Sequence, residues 1–313
     1  MRMNKRILLA IFLLLLPTLF ALAASKALQE TDVADVVDKT AKRLESYPEM
    51  SHWQALVLSK KTEMDKNWKP KKETVVQKTL LMKDKIQQEK IQSAVEIEKG
   101  KSKDVTQEYI NQAYKDMQKA AREKKKTKDK DGEEEQRRRM DLSLDEMFPF
   151  SEKNRENYDF TLLQETTLEG IPVYVLDAKA KQRTKEFFDG IFYIDKETWD
   201  IRRAELQLAK NPGPLKLMEM GMDFYVLPEG YFALRKISVR IHVGFVVKNI
   251  RQEVVDEYSD YQILEQKGSI PKSVMNDFSS APISDFENTL SFPSEETSLG
   301  FGYAYEQLSL YVL

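Results

Sequence analysis

The chain has no cysteine among its 313 residues. That excludes a disulfide scaffold and any thiolate ligand or nucleophile, so an apolar core has to hold the fold. Histidine is nearly as scarce, with only His52 and His242. A zinc site or a triad would need further partners for them, and both fall on the polar side of strand-like stretches, as solvated surface residues do. The motifs of common chemistries are missing as well: no Gly-x-Ser-x-Gly, no His-Glu-x-x-His and no phosphate loop. Gly300-Phe301-Gly302 opens a dinucleotide pattern but lacks its third glycine and a following helix. Asp129, Asp131 and Gly132 imitate part of a calcium loop whose first and twelfth positions would be Thr127 and Arg138, where carboxylates are required. The 51 acidic residues always allow some carboxylate pair, yet none is singled out. The expectation is a protein that is not an enzyme and uses no cofactor and no metal.

Strong charge of one sign is also missing: 49 basic residues oppose 51 acidic ones, for a net charge of −2. Nucleic acid is therefore not an expected partner. Long apolar runs are confined to the start. Arg2, Lys5 and Arg6 precede an apolar stretch from Ile7 to Phe20, broken by Pro17 and Thr18, and Ala21-Leu22-Ala23 ends it. This pattern reads as a secretory signal peptide over 1–23, since the run falls short of the roughly 20 residues that span a bilayer. The mature chain then begins at Ala24 and carries a net charge of −5, because Arg2, Lys5 and Arg6 are lost. With no cysteine to acylate, the expected location is the periplasm, as a soluble protein.

What is present is mostly the pattern of strands. Thr31 to Ser46 places Val33, Val36, Val37, Ala41 and Leu44 on one helical stripe. Beyond Pro48 the period shortens to two: Trp53, Ala55 and Val57 alternate with Gln54, Leu56 and Leu58, and Thr74, Val76, Leu80 and Met82 with polar neighbours. Lys85 to Ile97 suits either a strand or a helix. Asp104 to Arg122 reads as a second amphipathic helix with Val105, Tyr109, Ala113, Met117 and Ala120 inward and Asp104 with Gln107 as a capping box. Arg122 to Arg139 is almost wholly charged and reads as a linker or a solvated helix extension. Its clusters Lys124-Lys125-Lys126 and Arg137-Arg138-Arg139 could meet anionic headgroups, but the acids between them favour a solvated segment.

After Phe148-Pro149-Phe150 seven further strands are expected: Tyr158–Leu163, Ile171–Asp177, Phe187–Ile194, Ile201–Leu208, Leu215–Val226, Tyr231–Val247 and Val254–Ile263. The short turn signals between them, such as Glu169-Gly170 and Asn211-Pro212-Gly213, imply antiparallel meanders. Faces separate cleanly, with Ile237, Val239, Ile241, Val243, Phe245 and Val247 on one side and Met218, Met220, Met222 and Phe224 sharing another. Such a sheet needs a cover, and the two amphipathic helices are available. Methionine conforms to varied shapes, so this face is either an ordinary core or a concavity for apolar ligands. From Gly268 onward prolines and serines end the regular pattern, and the aromatic and apolar tail from Phe301 to Leu313 either docks on the domain or binds a partner.

The run Gly190-Ile191-Phe192-Tyr193-Ile194-Asp195-Lys196-Glu197-Thr198-Trp199, then Ile201 to Leu208, Met222-Asp223-Phe224-Tyr225, Tyr231 through Ile241 and Tyr258-Ser259-Asp260-Tyr261, resembles the outer-membrane lipoprotein carrier (LolA-like) superfamily over roughly 31–265. The resemblance implies a mostly β, α+β fold: a curved antiparallel sheet or half-barrel covered by an N-terminal helix and an inserted helix. It also implies that the concave face holds acyl chains of lipids or lipoproteins. No cargo-contact residue of the family maps onto this chain, so the expected lining comes from alternation alone: Trp53, Val57, Val76, Leu80, Met82, Met218, Met220, Met222, Phe224, Ile237, Val239 and Ile241. The expected layout is a signal peptide over 1–23, a lipid-binding β domain over 24–267 that includes the helix over 104–124 and the charged insert over 122–139, and an extension over 268–313. A monomer is expected, with a membrane-associated envelope protein as a further partner. The alternative function is an interaction module or envelope-stress regulator.

Overall fold

The computed structural model of the chain describes residues 32–83, 86–115, 148–244, 249–264 and 289–292. Helix α1 (Val33–Glu45) starts where Asp32 accepts a hydrogen bond from the Ala34 amide at 2.9 Å, and carries Lys42 and Arg43 in its last turn, where the helix dipole favours cations. Its inward face is Val36, Val37, Thr40 and Ala41, the stripe read from the sequence.

Eleven strands form one continuous antiparallel path, and a twelfth pairs at its margin. In chain order they are β1 (Trp53–Met64), β2 (Pro70–Lys83), β3 (Ile86–Glu98), β4 (Lys101–Asp104), β5 (Tyr158–Leu168), β6 (Ile171–Ala180), β7 (Phe188–Asp195), β8 (Ile201–Leu208), β9 (Leu215–Val226), β10 (Phe232–Gly244), β11 (Asn249–Ile263) and β12 (Thr289–Phe292). Spatially the order is β12-β3-β2-β1-β11-β10-β9-β8-β7-β6-β5, with β4 also on β3. β5 to β11 is thus a pure meander, and the N-terminal hairpin adds to it through β1 on β11. Two-residue turns with left-handed backbone make the tight reversals, Lys99-Gly100 (φ 51° and 76°) and Glu169-Gly170 (φ 51° and 85°), the geometry that matches strand twist.

The path leaves the sheet open, and the helices cover one face. This is the half-barrel architecture that the resemblance implies. The ambiguous segment after Lys85 is a strand: β3 pairs β2 along its length, with Ile91 and Ala94 buried. The second helix, α2, runs over 106–115, and the remainder of the expected helix and the charged insert lie outside the described residues. Asp104 ends β4 rather than standing inside the helix, and its carboxylate accepts from the Thr106 amide at 2.8 Å. Val105 and Ile110 of this region close a small second core over Val76, Ile91 and Ala94. β12 falls in a stretch where the sequence offers no regular pattern, and it docks on the β3 margin.

The turn between β7 and β8 fastens α1 to the sheet. Buried Asp200 accepts from Arg43 Nε at 2.7 Å and from the Tyr47 hydroxyl, while Lys39 lies 4.6 Å above the Trp199 ring. Trp199 itself holds a left-handed φ of 65°, stacked on Tyr174 at 5.7 Å. Asp195 sets the turn: one carboxylate oxygen accepts from the Glu197 and Thr198 amides at 2.9 and 3.1 Å, the other from Arg202 Nη2 at 2.7 Å. Burial alone would raise this carboxyl, but Arg202 and the two amides overcome that and hold it below the ordinary carboxylate range. A carboxyl whose folded pKa lies below its unfolded value of about 3.9 contributes its full stability above that value and loses it as pH falls through the folded one. Asp195→Asn should therefore flatten the acid limb of a plot of urea midpoint against pH between about 5 and 2, measured by circular dichroism.

Candidate functional site

The covered face of the sheet carries the residues that alternation assigned to it. Trp53, Val57, Leu80, Met82, Met218, Met220, Met222, Phe224, Ile237, Val239 and Ile241 are all buried in one cluster with Val36, Val37 and Ala41 of α1. Val76 departs from that set, because it lies toward the other end of β2 and packs in the second core, beside Ile91, Ala94 and Ile110. The β5-to-β10 half of the face is filled with rings. Phe148 and Phe150, in the segment leading to the short helix α3 (Glu152–Arg155), are inserted as a plug. Phe148 meets Phe192 and Phe224 edge-on at 5.7 Å each, and Phe150 meets Phe192 at 5.0 Å. Phe224 stacks on Phe232 at 4.9 Å, and Phe232 on Tyr47 at 5.2 Å, so the aromatic row ends under the α1 anchor.

At the β1–β2–β11 end the same face is ordered by a bulge. Asp260 takes a left-handed φ of 51°, and the β1–β11 register shifts between Gln54 and Leu56. The extra residue reverses the alternation of β11, so Tyr258 and Tyr261 share a face, stacked at 6.4 Å. Tyr261 comes to rest 5.4 Å from the Trp53 ring and donates its hydroxyl to the Leu234 carbonyl at 2.8 Å.

Charges lie within this covered face. Lys78, between Val76 and Leu80 on β2, is 3% exposed and donates to Glu89 of β3, 2% exposed, at 2.8 Å. Alongside, Ser59 donates to buried Asp256 at 2.5 Å, with Thr62 and Gln252 also buried. Burial works against the Lys78 ammonium, but the negative charges of Glu89 and Asp256 outweigh it and raise its pKa. Burial, then the charge of Asp256, drives the Tyr258 hydroxyl well above its ordinary value. Alternation along β2 passed over Lys78, and the apolar lining is therefore bordered at one end by an ion pair.

Two depressions bounded by described residues lie on the opposite, polar face. The larger, about 760 Å³, sits between Leu56 and Leu58 and a charge-balanced lattice in which Arg235 forks onto Glu169 at 2.9 and 3.0 Å while Arg203 reaches Asp223 at 2.6 Å. The other, about 480 Å³, crosses β6 to β11 over Gly221, where a side chain would collide with Ser238 Oγ. The histidines stand apart: His242 packs edge-on to Trp68 at 6.4 Å, and His52 Nδ1 lies 3.1 Å from Ser51 Oγ. Among the described residues no three His, Asp or Glu converge as a metal site. The side-chain set on the covered face suits adhesion of apolar chains.

A family model described as a family of unknown function (DUF5686) matches residues 33–261. No curated protein matches the chain. Among solved structures the chain is similar to a LolA superfamily protein from Nitrosomonas europaea, at 11% identity and TM-score 0.32 over 78% of this chain and 97% of that one. It is also similar to an outer membrane lipoprotein-sorting protein domain from Vibrio parahaemolyticus, at 10% identity and TM-score 0.36 over 77% and 97%. A chain of the Pseudomonas aeruginosa MucA/MucB complex matches at 10% identity and TM-score 0.23 over 74% and 99%. The similarity is thin in sequence and in superposition, so the side chains of this sheet have to carry any functional reading.

Proposed function

The chain belongs to the DUF5686 family of unknown function, and on that footing we propose that it is a periplasmic binding protein whose covered sheet face receives the acyl chains of a lipid or of a lipidated protein. The observation that supports this is the make-up of the cover: a methionine and aromatic face closed by one anchored helix and a two-ring plug, where a second sheet would be permanent. Methionine side chains such as Met82, Met218 and Met220 reshape at little penalty, so a chain that displaces the cover finds an adaptable surface. Each buried methylene supplies about 0.8 kcal/mol, and ten of them about 8 kcal/mol gross, from which the entropy of association and the displacement of the cover are subtracted. The proposal requires ligand entry by displacement, since the expected lining is fully covered in the structure.

Native mass spectrometry of protein purified from the cell envelope, followed by lipid extraction, should reveal a bound amphiphile, and a fluorescent fatty acyl probe should bind and be displaced by it. Absence of both would refute the carrier reading. One observation favours a second reading, an interaction module: β5 stands at the end of the path with a strand neighbour on one side only among the described residues, leaving backbone groups open to a partner strand. Crosslinking in intact envelopes would then capture a protein through residues of β5 such as Leu163, which is exposed.

A further inference from the structure

The indole nitrogen of Trp53 is buried and has no hydrogen-bond partner among the described residues; the residue is 1% exposed and stands at the first position of β1, on the covered face. Its neighbours explain why. Trp53 stands across from Met82 on β2 and Ile263 on β11, with Ala55 next to it on the same face. The Tyr261 ring, 5.4 Å from the indole, gives its hydroxyl to the Leu234 carbonyl. Native proteins rarely leave a buried N–H unpaired, and an orphan of this kind calls for an account. Phenylalanine would also place an apolar ring there, without the unsatisfied donor. The nearby bulge at Asp260 is a second local irregularity, and it is what places the Tyr261 ring against the indole.

Resting on the function proposed above, we infer that Trp53 Nε1 is the recognition donor for a carbonyl oxygen of the ligand, which makes the ligand an acyl ester or amide rather than a bare hydrocarbon or an alkyl ether. Indole is a donor only, so whatever completes it has to bring an acceptor. An acyl ester or amide carries that acceptor at the head of its apolar chain. In a face lined by Met82, Leu80 and Ala55, a hydrogen bond to that oxygen is sheltered from water and strengthened by the low local dielectric. Met82, directly across the strand pair, is the flexible side chain that yields to admit the carbonyl.

Two lysophospholipids test this, one with a palmitoyl ester and one with a hexadecyl ether, which differ in the carbonyl. The unaltered protein should bind the ester roughly five- to tenfold more tightly, and addition of the ester, but not the ether, should shift the indole N–H band of Trp53 in ultraviolet resonance Raman spectra of a Trp68→Phe/Trp199→Phe background. Trp53→Phe should abolish the preference, so that the ester-to-ether affinity ratio falls to about one. Equal affinity of the unaltered protein for both lipids, or a preference that survives Trp53→Phe, overturns the assignment and leaves the carrier reading standing. Failure of both lipids to bind removes the carrier reading and this inference with it. If Trp53→Phe fails to fold, the ester-to-ether ratio of the unaltered protein decides.

Discussion

Lys78→Met is expected to destabilise the protein by about 3–5 kcal/mol, and Lys78→Met combined with Glu89→Leu to restore most of that loss. The ammonium and the carboxylate are 3% and 2% exposed and 2.8 Å apart, so removing one takes from the other a bonded counter-charge in a desolvated setting. Removing both exchanges an ion pair, whose attraction roughly offsets its dehydration, for apolar contacts with Val76 and Leu80 on the same face of β2. Urea unfolding followed by circular dichroism reads both values, and the coupling between the substitutions should exceed 2 kcal/mol. Additive losses would mean that the pair is not a unit. Asp256, hydrogen-bonded to Ser59, keeps its own partner in all of these variants.

Phe150→Ala should have a comparable effect on stability, about 3–5 kcal/mol, since it removes a wholly buried ring packed between Phe192 and Phe160. Its effect on binding should run the other way. If a ligand enters by displacing the plug, the apparent affinity is the intrinsic affinity scaled by the fraction of molecules with the plug out. A weakened plug raises that fraction, and a fluorescent acyl probe should bind Phe150→Ala tenfold or more tightly under conditions where the protein stays folded. Unchanged or weaker binding would mean that the plug belongs to the permanent core and that ligand does not pass it. Stability and affinity moving in opposite directions is a signature that simple loss of packing does not produce.

The strands were legible because the sheet has one wet face and one dry face, so the alternation in β1, β9 and β10 maps directly onto burial. β3 was ambiguous because Gln87-Gln88-Glu89-Lys90 carries little apolar contrast, and its strand character comes from pairing with β2. What alternation missed depends on contacts distant in sequence. Lys78 became part of the covered face because Glu89 on the next strand, opposite Leu80, reaches it diagonally. Phe148 and Phe150 precede the expected strands with no periodicity of their own, and their inward place rests on contacts with Phe192 and Phe224, distant in sequence. Tyr261 belongs with Trp53 through a bulge that reverses parity, which a strict period of two cannot anticipate. β12 is four residues long and pairs with the β3 margin.

A fatty acid bearing a photoactivated diazirine at mid-chain, crosslinked to the purified protein and mapped by peptide mass spectrometry, would locate bound chains directly. Adducts are predicted on covered-face residues, foremost Trp53, Met82, Met218 and Met220, and competition with unlabelled lipid should erase them. Adducts on Leu56 and Leu58 of the polar-face depression, or labelling that no competitor reduces, would contradict the assignment of the ligand to the covered face.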